Sequence, residues 1–120
     1  MILGIGVDIV RSARLRRWRE AAGLCERFFA PRELAYCLER NHGVDESLAA
    51  RFAAKEAFGK ALGTGLSFPL KNVEVISGGD ERPRIELSGR AREKFAGAGG
   101  GAVHLSLSHE DGCAAALVVI

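Results

Sequence analysis

The sequence predicts an α+β fold in which a mixed or antiparallel sheet packs on one long central helix. Three observations predict it. Apolar runs rich in β-branched residues stand at both ends of the chain, helical periodicity closed by glycine fills the middle, and turn residues separate the segments at short intervals. With 120 residues, one domain spanning 1–120 is expected. Hydrophobic residues make up 48% of the chain but aromatics only 7%, so the core must be built mainly from Ala, Leu, Val and Ile. A chain of this size buries only about two-thirds of its unfolded surface, so self-association would add to its stability.

The elements follow in order. Residues 2–9 read as a buried strand, with Leu3, Ile5, Val7 and Ile9 on one side and Gly4, Gly6 and Asp8 on the other. That second side is nearly empty until the carboxylate at its end. Residues 11–22 carry a helical pattern in which Leu15, Trp18 and Ala22 share a face. Pro31 suits the first turn of a helix running to about Arg40. After a loop over 41–44, Asp45 is a good N-cap for a long helix from about Glu46 to Leu62, and Gly63 ends it where left-handed backbone is cheap. Asn72–Ile76 and Arg84–Leu87 read as strands around a hairpin loop over 77–83. A short helix near Arg90–Ala96 and a glycine-rich connector over 97–101 follow. Val103–Ser108 and Cys113–Ile120 form the last two strands, joined at Glu110-Asp111-Gly112.

Several function classes find little signal in the bulk numbers. A net charge of +2 is too mild to announce a nucleic-acid binder. No run reaches the 18 or so apolar residues of a membrane span, and the amino terminus lacks the basic leader of a signal peptide. Cys25, Cys37 and Cys113 show neither Cys-x-x-Cys nor zinc-finger spacing, which fits reduced thiols in a cytoplasmic protein. Gly4-x-Gly6 lacks a third glycine, so a Rossmann fingerprint is rejected, and no Walker A loop occurs.

The residues that can carry chemistry are few. Glu56 and Lys60 are spaced i, i+4 and share a helix face with Phe52, Gly59 and Gly63. Glycine costs a helix interior roughly 1 kcal/mol, so Gly59 points to a close neighbour. The plain alternative is a surface salt bridge. Asp8 ends its strand beside glycines; with Glu56 it would suit Mg²⁺, which takes oxygen ligands and is completed by water and substrate phosphate. Asp8 could instead cap the next helix. Gly63-Thr64-Gly65 could hold a phosphate on its backbone amides beside Lys60, or serve as a plain C-cap. Ser106-Leu107-Ser108-His109 does not make a nucleophile pair, because alternation parts the serines from His109. His109 could contact a phosphate or sugar, or merely end a hairpin. Arg11, Arg14, Arg16, Arg17 and Arg19 form a basic run; a solvated helix explains most of it, and an acidic protein partner is the functional reading.

Three separated blocks line up: Gly4-Ile5-Gly6-Val7-Asp8-Ile9, the stretch Arg51-Phe52-Ala53-Ala54-Lys55-Glu56-Ala57-Phe58-Gly59-Lys60-Ala61-Leu62-Gly63-Thr64-Gly65, and Ser106-Leu107-Ser108-His109. Their order and spacing resemble the holo-acyl-carrier-protein synthases, the small 4′-phosphopantetheinyl transferases, over essentially the whole chain. The resemblance implies the 4′-phosphopantetheinyl transferase fold. It also implies transfer of phosphopantetheine from coenzyme A to a serine of an acyl carrier protein, with release of adenosine 3′,5′-bisphosphate. By the same resemblance Asp8 and Glu56 hold Mg²⁺, Lys60 lies near the phosphates, and Asp8, Glu56 and Lys60 form the catalytic set. Arg51, Lys60, Gly63, Thr64, Gly65 and His109 contact coenzyme A. Arg14, with Arg17 beside it, meets the acidic carrier protein. A homotrimer is implied, with sites at subunit junctions where one chain supplies Asp8 and a neighbour supplies the Glu56 helix. Gly59 departs from the Ala or Ser of many relatives. Glu56 is the candidate for taking the serine proton. A metal-dependent phosphate or pyrophosphate hydrolase, or a binding module for an acidic partner, is the competing reading.

Overall fold

A computed structural model describes residues 1–77 and 82–120, so part of the expected 77–83 hairpin loop lies outside the described residues. Strand β1 (Ile5–Arg11) leads into helix α1 (Ser12–Glu20), the short α2 (Leu24–Phe28), α3 (Pro31–Leu38) and the long α4 (Val44–Leu62). A 3-10 turn at Leu70–Asn72 precedes β2 (Val73–Ile76) and β3 (Arg84–Leu87), then α5 (Gly89–Gly97), β4 (His104–Glu110) and β5 (Cys113–Val119). Every strand pair is antiparallel. Three strands form one sheet in the order β1-β5-β4, and β2 pairs with β3 in a second.

α4 packs on β1 and β5, and glycine sets how closely. A Cβ placed on Gly6 would stand 1.9 Å from the carbonyl oxygen of Ala57, and one on Gly4 would stand 1.9 Å from that of Ala61. The strand and helix therefore touch backbone to backbone, which only glycine permits. The side of β1 that the sequence leaves bare is not open space. Helix α4 fills it.

The opposite side of β1 reverses another expectation. Residues 2–9 read as a buried strand, yet Ile5, Val7 and Ile9 are 60%, 60% and 68% exposed. The alternation holds, but the strand is buried on one face only, and the glycine face is the one that packs. Leu117 of β5, opposite Val7, is exposed too, and together they make an apolar patch on the outer sheet face.

The inner core is rich in alanine and phenylalanine. Phe58 stacks edge-on with Phe68 at 5.7 Å, and Phe95 stands 6.0 Å away. Among them lies a fully buried ion pair: Lys55 Nζ donates to Glu33 Oε1 at 2.7 Å, with both side chains wholly excluded from solvent. Lys55 also donates to the carbonyls of Leu70 and Val73. Glu33 accepts from the Ala30 and Val75 amides at 2.9 and 3.0 Å. All the charge is thus satisfied, as a buried pair requires. Burial pulls the Lys55 ammonium down and Glu33 pulls it back, with the net shift downward. One pair ties α3, α4, the 3-10 turn and β2 together.

Local differences have local causes. The helix expected over 11–22 stops at Glu20, so Ala22 leaves the Leu15/Trp18 face, and Gly23 in left-handed backbone (φ 76°) starts the unexpected α2. Gly43 (φ 73°), not Asp45, is the N-cap of α4. Asp45 sits inside the first turn and instead receives Arg16 at 3.1 Å and Arg19 at 2.7 Å. Burial would raise its pKa, but the two arginines outweigh that and hold it below the usual carboxylate range.

Because backbone lies against Gly6 from both Ala57 and Ala61, Gly6→Ala should destabilise the protein by about 3 kcal/mol in urea unfolding. Gly101→Ala, with nothing within 4 Å, should lie within about 0.5 kcal/mol of wild type.

Candidate active site

The contact between β1 and α4 delivers Asp8 to the C-terminal half of the helix. Asp8 follows Gly4 and Gly6 on the inward side of β1, so its side chain emerges where the strand leaves the helix backbone. Lys60 Nζ donates to Asp8 Oδ1 at 2.9 Å and to the Val7 carbonyl at 3.0 Å. Glu56, one turn before Lys60, is partly buried. Its carboxyl is pushed above the ordinary range by burial first and by the neighbouring Asp8 second, against the opposing pull of Lys60 and Arg14. Asp8, Glu56 and Lys60 therefore come together within one chain. The expectation that one chain supplies Asp8 and a neighbour supplies the Glu56 helix is corrected: α4 packs on β1 of its own chain.

The glycine turn completes this end of the helix. Gly63 (φ 78°) and Gly65 (φ 61°) both take left-handed backbone, and the Gly63 amide closes on the carbonyls of Gly59 and Lys60 at 3.1 Å each. The C-cap expected of Gly63 is real. Gly59 explains itself here: a Cβ on it would stand 2.7 Å from the Gly65 carbonyl oxygen. Gly59 thus has the close neighbour its cost implies, and seats the Gly63-Thr64-Gly65 turn against the helix. Thr64 Oγ1 donates to the Gly65 carbonyl at 3.3 Å, and Thr64 and Gly65 are exposed.

Phe52 does not join the charged face. It is buried, packed edge-on against Trp18 at 4.8 Å and 6.4 Å from Phe28. This aromatic cluster holds Arg14: its guanidinium stands 5.0 Å from the Trp18 ring and 5.1 Å from the Phe52 ring. Such stacking fixes a cation without neutralising it. Arg17 and Arg11 are exposed, whereas Arg16 and Arg19 are occupied by Asp45.

Arg51 and His109 form a second group, apart from the first. They line a pocket of about 510 Å³ with Tyr36, Arg40 and Ser47, at the opposite sheet edge from β1. Nine residues of helix separate Arg51 from Lys60, about 13 Å at 1.5 Å per residue.

Metal fit rests on the donor set. Asp8 and Glu56 are two neighbouring carboxylates, one raising the pKa of the other, and Mg²⁺ favours such hard oxygen ligands. Among the described residues no group of three or more His, Cys, Asp or Glu could hold an ion, so further ligands would have to be water and substrate. No helix among the described residues is long and apolar enough to cross a membrane.

Comparison with known proteins agrees with this architecture. The family profile of the 4′-phosphopantetheinyl transferase superfamily (ACPS) matches residues 4–114, and the chain belongs to that superfamily. It is 51% identical to the holo-[acyl-carrier-protein] synthase of Treponema denticola, over 100% of this chain and 98% of that one. The chain superposes on the crystal structure of the Neisseria meningitidis holo-[acyl-carrier-protein] synthase with TM-score 0.86 at 35% identity, covering 99% and 98% of the two chains. The Helicobacter pylori enzyme in complex with coenzyme A gives TM-score 0.80 at 32% identity, covering 95% and 96%.

Because Asp8 is one cause of the raised Glu56 pKa, Asp8→Asn should move the Glu56 titration downward in metal-free protein, read by carbon-13 NMR of its carboxyl. The sign for stability follows. A raised folded pKa gives a contribution that is full below the ordinary Glu pKa and lost as pH rises through the folded value. An unmoved titration in Asp8→Asn would show that the two carboxylates do not interact.

Proposed function

We propose that this chain, as one domain over residues 1–120, transfers 4′-phosphopantetheine from coenzyme A to a serine of an apo acyl carrier protein, with Mg²⁺, in the cytoplasm. The observation that carries the reading is the meeting of Asp8, Glu56 and Lys60 within one chain, beside the turn at Gly63–Gly65. Full-length similarity to holo-[acyl-carrier-protein] synthases, among them one crystallised with coenzyme A, supports it.

Phosphoryl transfer needs positioning and charge neutralisation more than covalent chemistry. Asp8 and Glu56 would hold the metal, which when bound polarises the phosphoryl oxygens and offsets their charge. Lys60, already presented by Asp8 and the Val7 carbonyl, neutralises the pyrophosphate oxygens. Exposed backbone at Thr64 and Gly65 lies next to them. The carrier serine oxygen forms the new bond to phosphorus while the bond to adenosine 3′,5′-bisphosphate breaks. Glu56, beside Asp8 and Lys60, is the group placed to take the serine proton. Arg14, fixed on Trp18 and Phe52, and Arg17 meet acidic groups of the carrier.

Arg51 and His109 complete the coenzyme A site from a neighbouring copy. Arg51 stands about 13 Å along the helix from Lys60, His109 lies on β4 beside Arg51, and the exposed Ile5, Val7, Ile9 and Leu117 provide a face for association. The homotrimer of the resemblance fits that arrangement, with the subunit boundary between the Asp8/Glu56/Lys60 group and the Arg51/His109 group.

Incubated with coenzyme A, Mg²⁺ and an apo carrier, the wild type should add one phosphopantetheine to the carrier by mass spectrometry. Glu56→Gln and Asp8→Asn should lose at least about 100-fold in rate while keeping their fold. Phosphate release without carrier, and no mass gain with several carriers, would favour a hydrolase. A charge set into the outer sheet face, Val7→Glu, should lower the mass seen by sedimentation and cut activity with it. An unchanged mass would remove the association face from the account.

A further inference from the structure

α4 carries two buried cations one turn apart, and the fold treats them differently. Lys55, fully buried, has the Glu33 carboxylate at 2.7 Å. Arg51, only 3% exposed, has no carboxylate partner among the described residues. Its bonds are all to neutral groups. Nη1 donates to Ser47 Oγ at 2.9 Å and to the Ser47 carbonyl at 3.3 Å, and the guanidinium lies 4.5 Å from the centre of the Tyr36 ring. The Ser47 hydroxyl is itself fixed by Cys37, with Sγ 3.2 Å from Oγ. Burial pushes the Cys37 thiol up, so this partner is neutral as well.

What remains free is informative. Arg51 Nε and Nη2 are buried and have no hydrogen-bond partner. Those two N–H groups form one edge of the guanidinium, the fork that grips two oxygens of a phosphate. Leaving such donors unmet costs about 1–3 kcal/mol each, so a standing vacancy needs a reason. Ser47 takes the other nitrogen and Tyr36 covers a face, leaving the fork edge uncommitted beside a pocket that His109 and Arg40 also line. Glu46, Glu110 and Asp111 line the same pocket without pairing with Arg51.

We propose that Ser47 and Tyr36 are positioning residues: they orient Arg51 so that its Nε/Nη2 edge binds a phosphate group of coenzyme A two-pronged. This rests on the reading that the chain takes coenzyme A. Ser47 acts through Arg51 alone, by accepting from Nη1; Tyr36 acts by stacking.

The test compares wild type, Ser47→Ala, Ser47→Thr and Arg51→Lys. It measures the Kd for coenzyme A by calorimetry without carrier, kcat and KM with carrier, the melting temperature and the sedimentation mass. Loss of one hydrogen bond to a charged group should raise Kd and KM for coenzyme A about tenfold in Ser47→Ala. In that variant kcat should stay within about twofold, while the melting temperature should drop by about 4–8 °C because Arg51 Nη1 keeps only the Ser47 carbonyl. Ser47→Thr, which keeps the hydroxyl, should restore Kd. Arg51→Lys, which keeps the charge but not the fork, should weaken binding at least as much. If wild type binds coenzyme A and Ser47→Ala binds it equally well, the positioning role is overturned while the proposed activity stands. If wild type binds none, the underlying reading fails first. A loss of sedimentation mass in Arg51→Lys with unchanged Kd would overturn the phosphate assignment in favour of a carboxylate on a neighbouring copy.

Discussion

The structure depends on how near the backbone of β1 comes to that of α4. Two glycines without side chains let strand and helix meet directly, and the meeting places Asp8 beside Lys60 and Glu56. The same contact decides which face of β1 turns outward, and hence where the apolar patch lies. The site and the apolar outer face are two results of one packing constraint.

The long helix is asymmetric in charge as well as in packing. Arg51 and Lys55, one turn apart, point into the interior, whereas Glu56 is only partly buried and Lys60 near the helix end is exposed. Lys55 is satisfied wholly inside the chain by Glu33 and two carbonyls, which anchors the helix against α3 and β2. Removing either partner alone would strand a buried charge, so the pair acts as a clamp more than as a source of net stability. The aromatic cluster of Trp18, Phe28 and Phe52 does related work on the other flank, joining α1 to α4 under Arg14.

Much of this was legible in the chain, and the reasons are local. Glu56 and Lys60 show themselves through i, i+4 spacing, Gly63 through its place after the last helical turn, and Asp8 as a lone carboxylate in an apolar run. The antiparallel pairing of β4 and β5 follows from the short turn between them. Partners far apart in sequence were not legible. Glu33 and Lys55 are 22 residues apart, and nothing local pairs them. The signal that could have found Lys55 is its surround, with Phe52 and Phe58 three residues to either side. Asp45 looked like a cap because its alternative partners, Arg16 and Arg19, lie on another helix. The one-sided burial of β1 was not legible because glycine reads as vacancy, whereas here it marks where strand and helix backbones meet.

The outward sheet face has a consequence for the protein as a population of molecules. If a second copy covers Ile5, Val7 and Ile9, part of the resistance to unfolding would come from mass action. Robustness would then scale with abundance. Dilution would weaken it without altering a single bond inside the chain.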